Sequence, residues 1–381
     1  MELLHFDILA DNSQLEQFKS AHKIETTVNY YEEELLELFL VRNPQYKFNK
    51  DYQIAFEEFK TRETAGEQMD TLGNWFYFPW NKTLLHHLPE LQYFELRTAR
   101  NRNLITQDEQ EKYYNSTIAI AGLSVGSHAA ATLAMTGGAK NIKLADFDVV
   151  SVSNLNRLRY GSSTIGSNKA LVAAHLVADI NPYAKIYVYE TGITQESITD
   201  FIEGSNNSPK SDILIEGVDN LEMKILLREA AKKSSIPVIM ATDNGDGIIV
   251  DVERYDQDPN LQLFNGALGD FTIETFRNFP PHELPKLATT VAGPNYIVPR
   301  MLSSLLQVGR TLYSWPQLGT AATFTGVACA YICRAILNGK NIKGGKYDIN
   351  LDSIFDPDYQ TSQGKEKIKT ERKNLLKQMG L

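Results

Sequence analysis

The chain has 381 residues, 43% of them hydrophobic and 22% charged, a balance that suits a soluble globular protein with room for two or three domains. A net charge of −9 argues against nucleic acid as a partner, and no uncharged apolar run reaches about 18 residues, so no membrane span is expected. Two cysteines, Cys329 and Cys333, exclude a disulfide scaffold and lead us to expect a cytoplasmic protein.

The start, "MELLHFDILADNSQ", has no basic stretch ahead of an apolar run, so no secretion signal is expected. "DNSQLEQFKSAH" and "YYEEELLELFLVRNP" have the spacing of amphipathic helices, the second closed by Pro44. An aromatic stretch, "NWFYFPWNKTLLHHLPELQYFEL", reads as packing; His86 and His87 are adjacent, point in different directions and make a poor metal pair. A basic connector, "RTARNRN", follows. From Ser116 onward apolar strands are predicted at 117–121, 141–146, 185–189, 212–216 and 237–241. Helices are predicted between them at 127–136, 168–180, 196–203 and 221–233. That alternation predicts an α/β fold, a mainly parallel, doubly wound sheet covered on both faces. "NGDG", Asn244–Gly247, predicts a hairpin that adds an antiparallel strand. Residues 280–340 read as helical, with both cysteines in a buried helix, and the basic end as a tail docking on its own protein. The domain boundaries expected are 1–95 (an accessory α+β region), 96–275 (nucleotide-binding), 276–345 (helical) and 346–381 (a strand and basic tail).

Between the first strand and its helix lies Gly122-Leu123-Ser124-Val125-Gly126. It spells the G-x-S-x-G elbow of hydrolases and also occupies the position of a phosphate-binding glycine loop. The elbow reading needs an acid and a histidine later in the chain; His128, His175 and His282 are each badly placed for it. The cradle reading explains more. Gly122 permits a tight turn, Ser124 is small, and Gly126 opens a helix whose amino end attracts anions. Asp146-Phe147-Asp148 ends the second strand, where a carboxylate accepts hydrogen bonds from a ribose. Asn154, Arg157 and Lys169 follow. Several cations just beyond a ribose acid suit a triphosphate better than a dinucleotide. Asp219, with Asn220 beside it, ends the fourth strand at the crevice edge, placed either to coordinate Mg²⁺ or to cap the next helix.

This pattern resembles the E1-like, ThiF-type activating enzymes, which adenylate a carboxylate with ATP. The resemblance rests on Asp146-Phe147-Asp148, Ser153-Asn154-Leu155-Asn156-Arg157, Gly166, Lys169, Asn181-Pro182 and Asp219-Asn220, within residues 97–256. It implies that Gly122, Ser124, Gly126, Asp146, Asp148, Asn154, Asn156 and Asn220 line an ATP site. Arg157 and Lys169 would neutralise phosphates there, and Asp219 would bind Mg²⁺. It further implies a homodimer in which Arg102 reaches the partner's triphosphate, and a substrate that is a peptide, a ubiquitin-like carrier or a small acid. The phrase "VGRTLYSWPQLGTAATFTG" is similar to a bacterial branch sometimes joined to nitroreductase domains. Three features depart from the pattern. The glycine loop is one residue short of G-x-G-G-x-G, and Leu158 replaces the usual glutamine. No C-x-x-C pairs are available for the structural zinc, nor any cysteine within 256–300 for a thioester. An NAD(P)-dependent oxidoreductase and a non-catalytic nucleotide-binding scaffold are the alternatives.

Overall fold

The computed structural model describes residues 2–4 and 12–381, so the reading of the amino-terminal stretch falls largely outside the described residues. The chain divides into two compact units. One reaches to Glu111 and takes in Asn181–Tyr183; the other is built mainly from Lys112–Ile180 and Ala184–Leu381. Strand β1 (Glu2–Leu4) lies at an edge of the large sheet described below.

The smaller unit contains α1 (Asn12–Ala21), β2 (Thr26–Asn29), α2 (Tyr31–Arg42), α3 (Gln53–Thr64), β3 (Asn74–Phe78), β4 (Thr83–His87) and α4 (Glu90–Arg97). Its sheet runs β2-β4-β3, with β2 parallel and β3 antiparallel to β4. Leu35, Leu38 and Phe39, spaced three and four apart on α2, bury one helix face against Phe56, Phe59 and Leu88. The two adjacent histidines serve packing, as their opposed directions predict. His86 lies flat on Trp75 at 4.4 Å, with its ring nitrogens on Asn29 Oδ1 and the Leu72 carbonyl. His87 Nδ1 meets Glu34 Oε1 at 2.6 Å.

Helix α5 (Gln107–Tyr114) leads into the larger unit. There the strands are β5 (Thr117–Ala121), β6 (Asn141–Ala145), β7 (Lys185–Tyr189), β8 (Ile213–Glu216), β9 (Val238–Asn244), β10 (Gly247–Glu253) and β11 (Gly345–Asn350). The sheet order is β1-β7-β6-β5-β8-β9-β10-β11. Strands β5 to β9 pair in parallel; β10 and β11 extend the sheet antiparallel. Every residue of β5 and β8 is buried, as a parallel strand covered on both faces requires. The connecting helices are α6 (Gly126–Met135), α7 (Lys169–Ile180), α8 (Ile198–Glu203) and α9 (Leu221–Lys233). Ala119, Leu214 and Val238 of the sheet pack with Phe201 of α8 and with Ile225 and Leu227 of α9 in one core cluster.

Predicted boundaries and observed ones differ most at β9, which runs three residues past its expected end because its pairing with β10 continues to the Asn244–Gly247 turn. After β10 come α10 (Ile273–Arg277), α11 (Leu284–Ala292), α12 (Pro299–Leu305) and α13 (Gly319–Leu337). The chain ends in α14 (Asp352–Phe355), α15 (Pro357–Gln360) and α16 (Ser362–Gln378). Helix α13 is long and apolar enough to cross a membrane by length and composition, but one face is core. Its Gly326 comes so close to the His128 backbone of α6 that a Cβ there would lie 2.5 Å from it. Cys329 and Cys333 are free and buried, and burial pushes the Cys329 thiol up to about 12. The basic tail docks as expected: Leu375, Leu376 and Met379 pack on Ile249, Ile297 and Leu302, and Arg372 Nε donates to the Ile297 carbonyl at 2.9 Å.

Candidate nucleotide site

The sheet order β7-β6-β5-β8-β9 reverses direction at β5, and the crevice beyond the carboxyl ends of β5 and β8 is where such sheets bind ligands. One register row marks that edge: Ala145, Ala121, Glu216 and Met240 are successive partners across β6, β5, β8 and β9. Three residues beyond the row in each strand stand Asp148, Ser124, Asp219 and Asp243. This crest of the sheet thus carries one serine and three carboxylates, three of the four in the loops after β6, β5 and β8 and the last on β9.

The glycine loop runs close against the loop that follows β8. Gly122 has φ +86°, and a Cβ on it would lie 2.4 Å from the Gly217 carbonyl in the loop after β8, so only glycine fits. Asp146, nearly buried, braces this turn: Oδ2 accepts from the Leu123 amide at 2.6 Å and Oδ1 from the Asp148 amide at 2.8 Å. Burial raises its pKa, against those two donors, which lower it. Tyr160 ties the loop to α7, its hydroxyl donating to the Leu123 carbonyl at 3.1 Å.

Lys169 is the first residue of α7 and is buried, with Nζ 2.8 Å from Asp148 Oδ2. That pairing resolves the conflict of a cation at a helix amino terminus. Asn168, which sequence reasoning missed, fixes the turn: Oδ1 accepts from the Ala170 and Leu171 amides while Nδ2 donates to the Asp146 carbonyl. Asn154 is buried and its Oδ1 accepts from the Ser151 amide, closing a capping box. Asn156 accepts from Arg157 Nη1 at 3.0 Å and donates through Nδ2 to the Gln317 carbonyl at 2.9 Å. Asn220 caps α9 through its bond from the Met223 amide, leaving the neighbouring Asp219 exposed. Arg102 belongs to the other unit, half exposed and paired with Glu95 at 2.7 Å.

Three buried polar atoms here have no partner: Ser124 Oγ, Arg157 Nε and His128 Nδ1. Such atoms are rare in folded proteins, and each calls for a water, an ion or a ligand group to complete its bonding. His128 is kept neutral by burial, so its Nε2, 2.6 Å from the Arg157 carbonyl, carries the proton and supports the arginine's backbone. The hydrolase reading ends here. Ser124 Oγ bonds no histidine, and its backbone lacks the positive φ of a strained elbow. Arg157 has its pKa lowered by burial, with the Asp243 and Asp219 carboxylates opposing that shift.

Asp243 is another residue that sequence reasoning missed: the predicted strand stops at 241 and the predicted turn starts at Asn244, whereas Asp243 lies inside β9. It is 7% exposed, accepts from Gln317 Nε2 at 3.2 Å and Thr325 Oγ1 at 3.4 Å, and burial pushes its carboxyl up to about 6. A folded-state pKa above the unfolded one means that protonation favours folding. This contribution is complete below the unfolded value and lost as pH rises through 6. Asp243→Asn should therefore stabilise the protein by about 2–3 kcal/mol at pH 7.5, an advantage that fades toward pH 4. Thermal melts across that range check this; an equal gain at every pH would refute it.

An uncharacterized Mycobacterium tuberculosis protein is 34% identical over 325 residues, 81% of this chain and 44% of its own length. The chain thus spans less than half of that relative. The tRNA threonylcarbamoyladenosine dehydratase of Bacillus subtilis is 31% identical over 178 residues, 45% of this chain and 68% of that one. Molybdopterin-synthase adenylyltransferase of Haemophilus influenzae is 29% identical over 160 residues, 41% of this chain and 60% of that one. The ThiF family pattern spans residues 98–347, from the basic connector through the crest to the last strand, so the chain belongs to the ThiF family.

Proposed function

We propose that the protein is an ATP-dependent adenylyltransferase that converts a substrate carboxylate into an acyl-adenylate without a cysteine relay. The observation that carries this is the set of unpartnered polar atoms, Ser124 Oγ on the glycine loop at the sheet's switch point and Arg157 Nε on the loop after β6, together with the buried cation of Lys169 at the start of α7. A carboxylate oxygen would bond to the α-phosphorus as the bond to the pyrophosphate oxygen breaks, that oxygen leaving with the electron pair. Lys169 and Arg157 would offset the charge gathering on the leaving group, and Ser124 and the start of α6 would cradle the phosphates. Asp146, braced against the loop, would accept ribose hydroxyls with its remaining acceptor capacity. Asp219, exposed and unpaired, suits Mg²⁺, which commonly takes one or two carboxylates and completes its shell with phosphate and water. Bound there, the metal would supply further charge neutralisation.

Two buried cysteines are poor nucleophiles because burial disfavours the thiolate. The activated acyl group therefore passes directly to an amine, thiol or water. The substrate is a peptide, a carrier carboxyl terminus or a small acid, and ATP consumption with free thiols suits the cytoplasm. Calorimetry with ATP–Mg²⁺ and with NAD tests the nucleotide. Binding of ATP in preference to NAD, followed by carboxylate-dependent ATP–pyrophosphate exchange, supports the reading; preference for NAD favours the oxidoreductase instead.

We further propose a homodimer in which Arg102 serves the partner's triphosphate. Arg102→Ala and Lys169→Ala should each be inactive alone. Co-expressed, they should recover about a quarter of wild-type exchange, because each mixed dimer holds one intact site. No recovery would place Arg102 on its own chain's site, and an active Arg102→Ala would place it outside the chemistry.

A further inference from the structure

Arg157 has an unusual support. Its guanidinium donates to its own neighbourhood only, through Nη1 to the Ser153 carbonyl and Asn156 Oδ1. What holds Asn156 is the segment leading into α13: the Asn156 amide donates to the Gln317 carbonyl. Gln317 in turn donates through Nε2 to Asp243, and Thr320 Oγ1 donates to Asp246 at 2.5 Å. Gly319 fits so tightly that a Cβ would lie 2.8 Å from the Asn156 carbonyl. The segment is thus tied on one side to the loop that carries Arg157 and on the other to the crest carboxylate at the end of β9. Its neighbours Trp315 and Leu318 are exposed, so apolar packing is not what fixes it.

We propose that Gln317 and Asp243 are positioning residues: they strap residues 315–319 across the Asn156–Arg157 loop and so set the guanidinium for the triphosphate. The strap works through hydrogen bonds to backbone and side chain, without touching the ligand. It follows that loosening it costs affinity for the terminal phosphates and leaves adenosine and α-phosphate binding alone. The inference rests on the adenylation reading, and its test separates the two.

The measurement is calorimetric affinity for ATP–Mg²⁺ and for AMP in the full-length wild type, Gln317→Ala, Gly319→Ala and Asp243→Asn. Gln317→Ala removes the side-chain tie to Asp243 and keeps the backbone carbonyl that holds Asn156; Gly319→Ala pushes the segment off the Asn156 carbonyl without removing either bonding group. Both positions are near the surface, so folding should survive, and melting curves verify it. ATP affinity should fall about tenfold or more in these two variants, in line with a misplaced charge-assisted contact, with AMP affinity within about twofold of wild type. Asp243→Asn keeps an acceptor oxygen for Gln317 and should stay near wild type. Equal losses for ATP and AMP, or no loss for either, would overturn the strap while leaving adenylation standing. A wild type that binds no ATP would overturn both.

Discussion

Lys169→Ala should abolish ATP–pyrophosphate exchange, by about 100-fold or more, while leaving the melting temperature close to wild type. The magnitude follows from removing a fixed cation from a site where charge develops on a leaving group. The asymmetry between activity and stability follows from its partner. Asp148 is 54% exposed, so it returns to water when the lysine is lost and leaves no stranded charge. Lys169→Arg should recover little, because a longer planar fork does not fit a buried point-charge position. Exchange that persists in Lys169→Ala would mean that the lysine serves Asp148 and the helix start alone, and the phosphate site would have to be sought elsewhere on the crest.

The largest stability effect lies directly beneath the same crest. Arg228 on α9 is fully buried, with Nη1 2.6 Å from Glu216 Oε2 and Nε 2.6 Å from Glu253 Oε2, and its guanidinium is stacked 4.1 Å from the Phe264 ring centroid. Glu216 keeps a second cation, Lys224 at 2.9 Å, whereas Glu253 has only the Tyr255 hydroxyl and the Phe264 amide. Arg228→Met should therefore cost about 3–5 kcal/mol, since it strands a buried carboxylate, and lower the melting temperature by about 10 °C. The double variant Arg228→Met/Glu253→Gln should recover much of that loss by removing the stranded charge, and this distinguishes charge from packing. If the double variant melts no higher than the single one, the arginine stabilises through volume and stacking. Glu216 Oε1 also accepts from the Val218 amide at 2.8 Å, so the network sets the loop that presents Asp219. Loss of Arg228 is thus expected to weaken nucleotide binding as well.

The 256–300 segment and the 315–319 segment are held in different ways. The former is a long connection. In the structure Leu263, Phe264 and Val291 enter the core, and the Ile273 amide donates to Glu229 on α9. The latter is short and lies seventy residues past β9, and it is the one tied to the Arg157 loop.

What the sequence determined by itself was everything that depends on neighbours along the chain. Alternating apolar runs set the parallel strands and their helices, because a strand's two-residue period and a helix's 3.6-residue period are local properties. Gly122, Asp146 and Lys169 were legible for the same reason: each ends or begins an element whose carboxyl or amino end is fixed by local geometry. Asp243, Gln317 and Asn168 were not legible, and neither was the pairing of Lys169 with Asp148. Asp243 falls between the predicted strand end at 241 and the Asn244–Gly247 turn, and only antiparallel pairing with β10 draws it into a strand. Gln317 acquires meaning only when α13 packs on α6 and brings its leading segment onto a loop 160 residues earlier. Such contacts are set by how layers stack and registers align, and that information belongs to the tertiary structure alone.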